Sequence, residues 1–319
     1  MSKSFLEGEY PCSSPDQALF YVIPVPYEGT VSYGGGTARG PERILAASTQ
    51  LEKFDGIDCP GEAGIHTARP VDCSGTPEEV LPRVGDAVLS ALGAHDHDPL
   101  PVVLGGEHSI TAPAVRAVRD KLRERTGLAT PLGVIQIDAH ADLRDRYEGS
   151  PLSHAAVMRR VHQDLGVPLI QIGVRALSRE EETYRLAARD ETDPVLLWHD
   201  ARDIVPSALS RIEIPRDFPS RVYLTLDVDG LDPSICPATG TPVPGGLEWY
   251  QTLNLLQHIA NAREIAAFDV VELAPIPGLH APDYALAELT YRIMGMIARS
   301  RSAPGSGGRE RPFRGTVGP

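Results

Sequence analysis

Seven short apolar runs, with stretches of helical spacing between them, constrain this 319-residue chain more than any other feature. They are ALFYVIPV (18–25), LPVVLGG (100–106), LGVIQID (132–138), LIQIGV (169–174), VLLWHD (195–200), VYLTLDVD (222–229) and IAAFDVVEL (265–273). Apolar residues at consecutive rather than alternate positions mark strands covered on both faces, the condition of a parallel sheet. The segments TAPAVRAVRDKLRER, SREEETYRLAARD, EWYQTLNLLQHIANA and APDYALAELTYRIMGMIA carry helical spacing. Thr76, Pro77 and Glu79 add a helix start, with Thr76 as N-cap, Pro77 at N1 and Glu79 closing a capping box. Strand alternating with helix predicts a doubly wound α/β fold. No internal repeat or linker divides the chain, so residues 1–299 are expected to form a single domain. From Ser300, SRSAPGSGGRERPFRGTVGP lacks apolar periodicity, and residues 300–319 read as a flexible C-terminal tail.

Composition narrows the function classes. A 42% hydrophobic content fills a substantial core, and 43 acidic against 30 basic residues argue against a nucleic-acid surface while suiting a small cationic ligand. Cys12, Cys59, Cys73 and Cys236 are scattered without C-x-x-C spacing, so neither a disulfide framework nor a zinc-thiolate site is expected. The opening MSKSFLEGEYPCSSPD lacks the apolar core of a signal peptide, and no segment reaches the ~18 apolar residues of a membrane span. The expectation is a cytoplasmic protein with no membrane or nucleic-acid partner.

The chemistry gathers where apolar runs end. In extended backbone, side chains two apart share a face, so Asp138, His140 and Asp142 project together from the C-terminal end of the 132–138 strand, the edge where open α/β sheets bind ligands. Such groups repel one another in an apolar site, and a divalent cation makes the same arrangement favourable. A second run ends in Asp227 and Asp229, of which Asp227 falls inside an otherwise apolar strand; Asp232, before Pro233, reads as a turn builder. A third ends in Gly105, Gly106, Glu107 and His108, with Ser109 or Thr111 placed to cap the following helix. Two histidines and four aspartates, with no thiolate, suit Mn²⁺ first, with Ni²⁺, Co²⁺ or Fe²⁺ as alternatives. Six ligands, two able to bridge, match two ions better than one. Two ions ~3.5–4 Å apart trap a water and lower its pKa, which implies hydrolysis.

These residues resemble the ureohydrolase family of arginases, agmatinases and related guanidino-acid hydrolases. GGEHSI, DAHAD, LDVDGLDPS running into PATGTPVPGGL, and FDVVELAP match its blocks in order, and VPYEGTVSYGGGTARGPERILAAS (25–48) is similar to the N-terminal segment of agmatinases in particular. The likeness runs from about residue 18 to 298. It implies a three-layer α/β/α sandwich around an eight-stranded parallel sheet, assembled as a homotrimer or homohexamer; with seven runs found, one strand is still to be located. It also implies two Mn²⁺ per chain, with His108 and Asp142 on one ion, His140 and Asp229 on the other, Asp138 and Asp227 bridging both, and Asp142 aiming the nucleophile. Glu272 stands where the family pairs a carboxylate with the substrate guanidinium, and His154, in Ser-His-Ala rather than the frequent Ser-His-Gly, where it places a catalytic, substrate-binding histidine. Thr241 lies in a turn similar to the family's substrate-facing one. His66, His95, His97, His162, His199, His258 and His280 belong to no block, and PIPGLHAPDYA departs from the P-x-x-D pattern of many relatives.

A guanidinium is resonance-stabilised and always protonated, so hydrolysis needs an activated water, an orienting carboxylate and a proton donor for the leaving amine. The resemblance to agmatinases, the acidic balance and the absence of asparagine from LRDRYEGSPLS favour agmatine over arginine, with putrescine and urea as products. The competing substrates are a guanidino acid such as 4-guanidinobutanoate, recognised if Arg144 or Arg146 faces the pocket, and free guanidine. Two further readings are a metal-dependent deacetylase, against which the second aspartate pair and Glu272 speak, and a non-catalytic regulator on a ureohydrolase scaffold, which would normally have lost ligands.

Overall fold

The computed structural model describes residues 3–93, 98–189, 194–207 and 212–302. Eight strands form one sheet: β1 (Phe20–Val25), β2 (Ile65–Thr67), β3 (Leu100–Gly105), β4 (Gly133–Ile137), β5 (Leu169–Ile172), β6 (Leu196–His199), β7 (Arg221–Asp227) and β8 (Glu264–Val271). Their order is β2-β1-β3-β8-β7-β4-β5-β6, and every pair is parallel. Seven of them are the apolar runs. The eighth, β2, is an edge strand of sequence Ile-His-Thr, too short to register as a run.

Helices cover both faces because successive strand side chains point to opposite sides. Val102, Leu104, Leu224, Leu226, Phe268 and Val270 pack with residues of α1 (Gly40–Ser48), α7 (Trp249–Ala262) and α8 (Ala281–Ser302). The alternate residues Val103, Val134, Tyr223 and Ala267 pack with α2 (Pro77–Gly93), α3 (Thr111–Thr126) and α4 (Val157–Arg159), which runs on into a π-helical turn, Arg160–Asp164. The remaining helices are α5 (Arg179–Ala188) and α6 (Ala201–Ile204). This is the α/β/α sandwich the resemblance implied. Among the described residues no helix is long and apolar enough to cross a membrane. All four cysteines are free.

Two boundaries differ from expectation. Helix α8 continues through Ser302, so the expected tail at Ser300 starts too early; residues 303–319 lie outside the described ones. Ser109 and Thr111 do not cap α3: their hydroxyls donate instead to Glu107 Oε1 (2.6 Å) and Asp269 Oδ2 (2.7 Å). Buried carboxylates within reach outcompete a local backbone partner. At Thr76, the backbone N–H donates to Glu79 Oε2 at 2.9 Å, the reach-back half of the expected capping box.

The topology places the site. β3, β8, β7 and β4 are consecutive neighbours, and in a parallel sheet their C-terminal ends face one way, so the residues after each strand meet at one rim although they lie up to 164 positions apart, the separation of His108 and Glu272. Gly106 holds the first of these turns against the end of β1. Its N–H donates to Val25 O (2.8 Å), Glu107 N–H donates to Tyr27 O (2.9 Å), and a Cβ on Gly106 would lie 1.9 Å from Tyr27 O. Because the obstruction is backbone, Gly106→Ala is expected to destabilise the protein by about 1–3 kcal/mol or more. Urea unfolding should show a lower midpoint with an unchanged slope; an unshifted midpoint would mean the turn relaxes freely.

Candidate metal centre and pocket

The strand-end residues converge on two overlapping groups whose ligand atoms lie close enough to share an ion: His108 with Asp138 and Asp227, and Asp138 with His140 and Asp229. Asp138 is common to both. His108 Nδ1 is 3.0 Å from Asp142 Oδ2, 3.2 Å from Asp138 Oδ2 and 3.4 Å from Asp227 Oδ2. His140 Nδ1 is 2.9 Å from Asp229 Oδ2 and 3.7 Å from Asp138 Oδ1. All four aspartates and His108 are buried.

The backbone aims these groups. Asp138 Oδ1 accepts from His140 N–H (2.6 Å), Asp227 Oδ1 from Asp229 N–H (2.9 Å) and Asp229 Oδ1 from Ala139 N–H (3.0 Å), so each carboxylate spends one oxygen locally and directs the other inward. Asp142 has left-handed backbone, φ 52°, and its carbonyl accepts from Met158 and Arg159 N–H at the start of α4, which holds the conformation. Glu272 is left-handed too, φ 67°; its N–H donates to Gly106 O and its Oε1 accepts from His108 N–H at 2.6 Å. Asp232 accepts from the N–H groups of Ser234, Gly245 and Gly246, the turn-building role expected of it.

Behind the rim, polar side chains inside the strands complete the support. His108 Nε2 lies 2.9 Å from Thr225 Oγ1, and Asp269 is in turn stabilised by hydrogen bonds from Thr225, Thr111 and Tyr223. Asp138 Oδ2 accepts from Gln136 Nε2 (2.7 Å), Gln136 Oε1 from Gln171 Nε2 (2.6 Å), and Gln171 Oε1 from Arg185 Nε (2.9 Å), whose guanidinium pairs with Asp200 at 3.0 Å. Arg185 is wholly buried. Sequence reasoning missed this chain, and the signal was a glutamine in each of the two apolar runs LGVIQID and LIQIGV.

The electrostatics of the cluster are those of too much negative charge in too little solvent. Burial, then the charges of Asp229 and Asp142, push the Asp138 carboxyl up to about 7. Burial and the charges of Asp229 and Asp138 push Asp227 up well above the carboxylate range. Burial opposes charge on both imidazoles, but contacts with Asp229 and Asp138 raise His140 to about 10, and contacts with Asp138, Asp142 and Asp227 raise His108 well above its ordinary value. Burial works against ionised Asp229, and its contact with His140 outweighs it and lowers its pKa. Glu272 is pushed well up by burial and then by Glu107. His108 Nδ1, with three carboxylate oxygens around it, is aligned for a hydrogen bond with none of them. A nitrogen pointing between acceptors rather than at one is placed for an ion, so these residues fit a divalent cation.

His140, Asp142, Asp227, Asp229 and Glu272 line a cavity of about 340 Å³ together with His154, Thr241, Tyr33, Arg144 and Tyr147. Gly34 and Gly240 pack backbone to backbone in its wall; a Cβ on either would come within 2.9 Å of the other's carbonyl oxygen. Arg144 stands over the Tyr147 ring, 5.2 Å from its centroid, whereas Arg146 is exposed and lies near Asp145 (3.9 Å). The other histidines serve elsewhere: His162 is buried against Tyr184 and Pro194, His66 bonds Ser13 O, His199 faces Glu213 O, and His258 and His280 are exposed. His95 and His97 lie outside the described residues.

A parallel sheet with carboxylates and imidazoles gathered at its C-terminal rim, opening on a pocket, is the arrangement of a metal-dependent enzyme on a three-layer α/β/α sandwich. Residues 18–295 match the profile of the arginase family. The chain is 37% identical over 307 residues to the N(1)-aminopropylagmatine ureohydrolase of Synechocystis sp., covering 94% of this chain and 95% of that protein. It is 31% identical to the agmatinase of Pyrococcus horikoshii, covering 91% and 96%. The agmatine ureohydrolase structure of Thermoplasma volcanium superposes with a TM-score of 0.73 at 27% identity, covering 94% of each chain. The chain belongs to the arginase family. It is a ureohydrolase, an enzyme acting on guanidino compounds.

Removing the amide behind Asp138 tests how far the buried chain supports the centre. Gln136→Leu keeps the volume and deletes the donor, and its affinity for Mn²⁺ in equilibrium dialysis is expected to fall about 10–100-fold. Unchanged affinity would show that Asp138 needs no such support.

Proposed function

We propose that this protein holds two divalent cations and hydrolyses a linear guanidino amine, agmatine or its aminopropyl derivative, to urea and the corresponding amine, putrescine in the case of agmatine. The observation that carries the reading is the meeting, in one pocket, of the two His/Asp groups with Glu272 and His154. Four buried aspartates bring four negative charges, which two divalent ions offset. His108 and Asp142 would hold one ion and His140 and Asp229 the other, with Asp138 and Asp227 shared between them; the oxygen-rich set suits Mn²⁺, with Ni²⁺ or Co²⁺ as alternatives. When bound, the ions supply Lewis acidity that makes water a competent nucleophile near neutral pH.

The chain's own residues do the rest. Glu272, anchored through Oε1 to His108 N–H, pairs with the guanidinium and presents its carbon to the attacking oxygen. Asp142 accepts a hydrogen bond from the nucleophile and aims it. As the C–N bond to the alkyl amine breaks, His154 delivers a proton to the departing nitrogen. Thr241 and Tyr33 stand at the mouth, and the Tyr33 ring, 87% exposed, offers a face to the distal ammonium of a cationic substrate. The names borne by the Synechocystis and Pyrococcus relatives support an amine rather than an acid.

Arg144 favours a second reading. It lines the pocket, and no carboxylate among the described residues pairs with it, so a guanidino acid such as 4-guanidinobutanoate would find a cation there. Urea release from agmatine, N-aminopropylagmatine, 4-guanidinobutanoate, arginine and guanidine, with Mn²⁺ and then Ni²⁺ or Co²⁺, separates the two. The guanidino amines are expected to be turned over most efficiently, and preference for the acid, lost in Arg144→Ala, would reverse the order. His154→Ala should lower kcat by about 10²–10⁴-fold at unchanged metal content.

A further inference from the structure

We infer that Thr30 and Glu107 are positioning residues that fix the proton of His154 on Nδ1, so that Nε2 is the nitrogen presented to the substrate. The inference rests on the proposed role of His154 as proton donor, but it is carried by a separate observation, the hydrogen-bond count at one hydroxyl. Thr30 Oγ1 has three close partners: Glu107 Oε1 at 2.7 Å, His154 backbone N at 3.0 Å and His154 Nδ1 at 3.2 Å. A hydroxyl has one proton to give and two lone pairs to fill. The backbone N–H can only donate, so it takes one lone pair. The remaining choice is whether the hydroxyl proton goes to Glu107 or to the ring.

Glu107 decides it. This carboxylate is wholly buried, and all its partners are placed as donors: Oε2 accepts from the N–H groups of Gly29 (2.7 Å) and Thr30 (2.6 Å), and Oε1 takes the hydroxyls of Ser109 (2.6 Å) and Thr30. Four donors fill the four acceptor sites of a carboxylate. With its proton committed to Glu107, Thr30 Oγ1 can only accept from Nδ1, so the 3.2 Å contact is a hydrogen bond only when Nδ1 carries the hydrogen. Ser153 Oγ lies on the same nitrogen at 3.4 Å, and the Tyr147 ring packs edge-on against the imidazole, centroids 5.8 Å apart at 76°, which limits its rotation. Nε2 is left to the cavity that His154 lines.

The proton balance of the proposed step follows. Nε2 gives its proton to the leaving amine nitrogen and regains one of the two protons of the attacking water; the other water proton leaves with the amine as an ammonium, while the Nδ1 proton stays in place. While Nε2 is protonated the ring is cationic, and the Nδ1–H to Thr30 hydrogen bond, polarised by Glu107, strengthens with that charge. Glu107 directly precedes His108, so the turn that aims one cation ligand also sets the tautomer of the histidine.

The test uses the metal-loaded enzyme and two readouts. Neutron diffraction from perdeuterated crystals is expected to show the Thr30 O–D directed at Glu107 Oε1; an O–D directed at His154 Nδ1 overturns the inference. In kinetics on the best guanidino substrate, Thr30→Val, which keeps the shape and deletes the hydroxyl, is expected to lower kcat about tenfold or more with KM within about twofold, and Thr30→Ser to restore it. Full kcat in Thr30→Val, or failure of folded, metal-replete Thr30→Ser to recover it, overturns the inference. Wild-type activity in His154→Ala would instead remove the role assigned to His154, and the neutron readout would still decide the tautomer.

Discussion

Four buried carboxylates gathered within a few ångströms of one another, with buried His108 and half-buried His140 among them, cannot rest as they are: the carboxylate charges repel, and little solvent reaches in to screen them. The raised pKa values of Asp138 and Asp227 beside the lowered one of Asp229 express that tension, with each neighbour's protonation depending on the others. Divalent cations would offset that charge, and the residues present fit them. The rest of the architecture serves to hold this set. Strands β3, β8, β7 and β4 are adjacent and parallel, so short turns after each deliver these side chains from distant sequence positions without a long loop.

Holding such a set requires rigidity, and the interior supplies it in polar form. The line from Asp200 and Arg185 through Gln171 and Gln136 to Asp138 crosses β5 and β4 beneath the rim, and each amide in it both donates and accepts. Buried networks of this kind stabilise only when satisfied along their length, and they then specify one arrangement. Arg185 ends that line as a wholly buried cation paired with Asp200. Left-handed backbone at Asp142 and Glu272, two of the four non-glycine positions of that kind among the described residues, sits where those carbonyl and amide contacts over-determine it.

Much of this was legible in the sequence, for a physical reason. Strands buried on both faces leave long apolar runs, and a charged residue at the end of such a run has to be accounted for, which is how His108, Asp138, Asp227 and Asp229 stood out. β2 was not legible, because three residues at a sheet edge carry no pattern. The end of α8 was misplaced because Ser300–Ser302 hold helical backbone beyond the last apolar residue, and periodicity stops where burial stops. Gln136, Gln171, Thr225 and Asp269 were visible as polar residues inside apolar runs, but their partners lie across strands, and only the register reveals them. Glu107 and Thr30 were less accessible still: they lie 77 positions apart, and nothing in the sequence pairs them.

The division between centre and pocket wall explains why the reaction class is easier to read than the substrate. The His/Asp cluster sits on strand ends and on turns zipped to neighbouring backbone, whereas the wall is built from loop segments such as Val31–Gly34, Arg144–Tyr147 and Thr239–Thr241, which meet through contacts like that of Gly34 with Gly240. Arg144 illustrates the consequence. Its guanidinium covers the face of Tyr147 while its edges remain free to donate, so the same residue can shield an aromatic platform or bind an anion. Stacking leaves the charge in place, and a cationic substrate has to pass it, drawn by the carboxylates at the pocket floor. Selectivity in this chain is therefore a balance between one cation on the wall and several anions beneath it, and the loop that carries Arg144 starts from the backbone of Asp142.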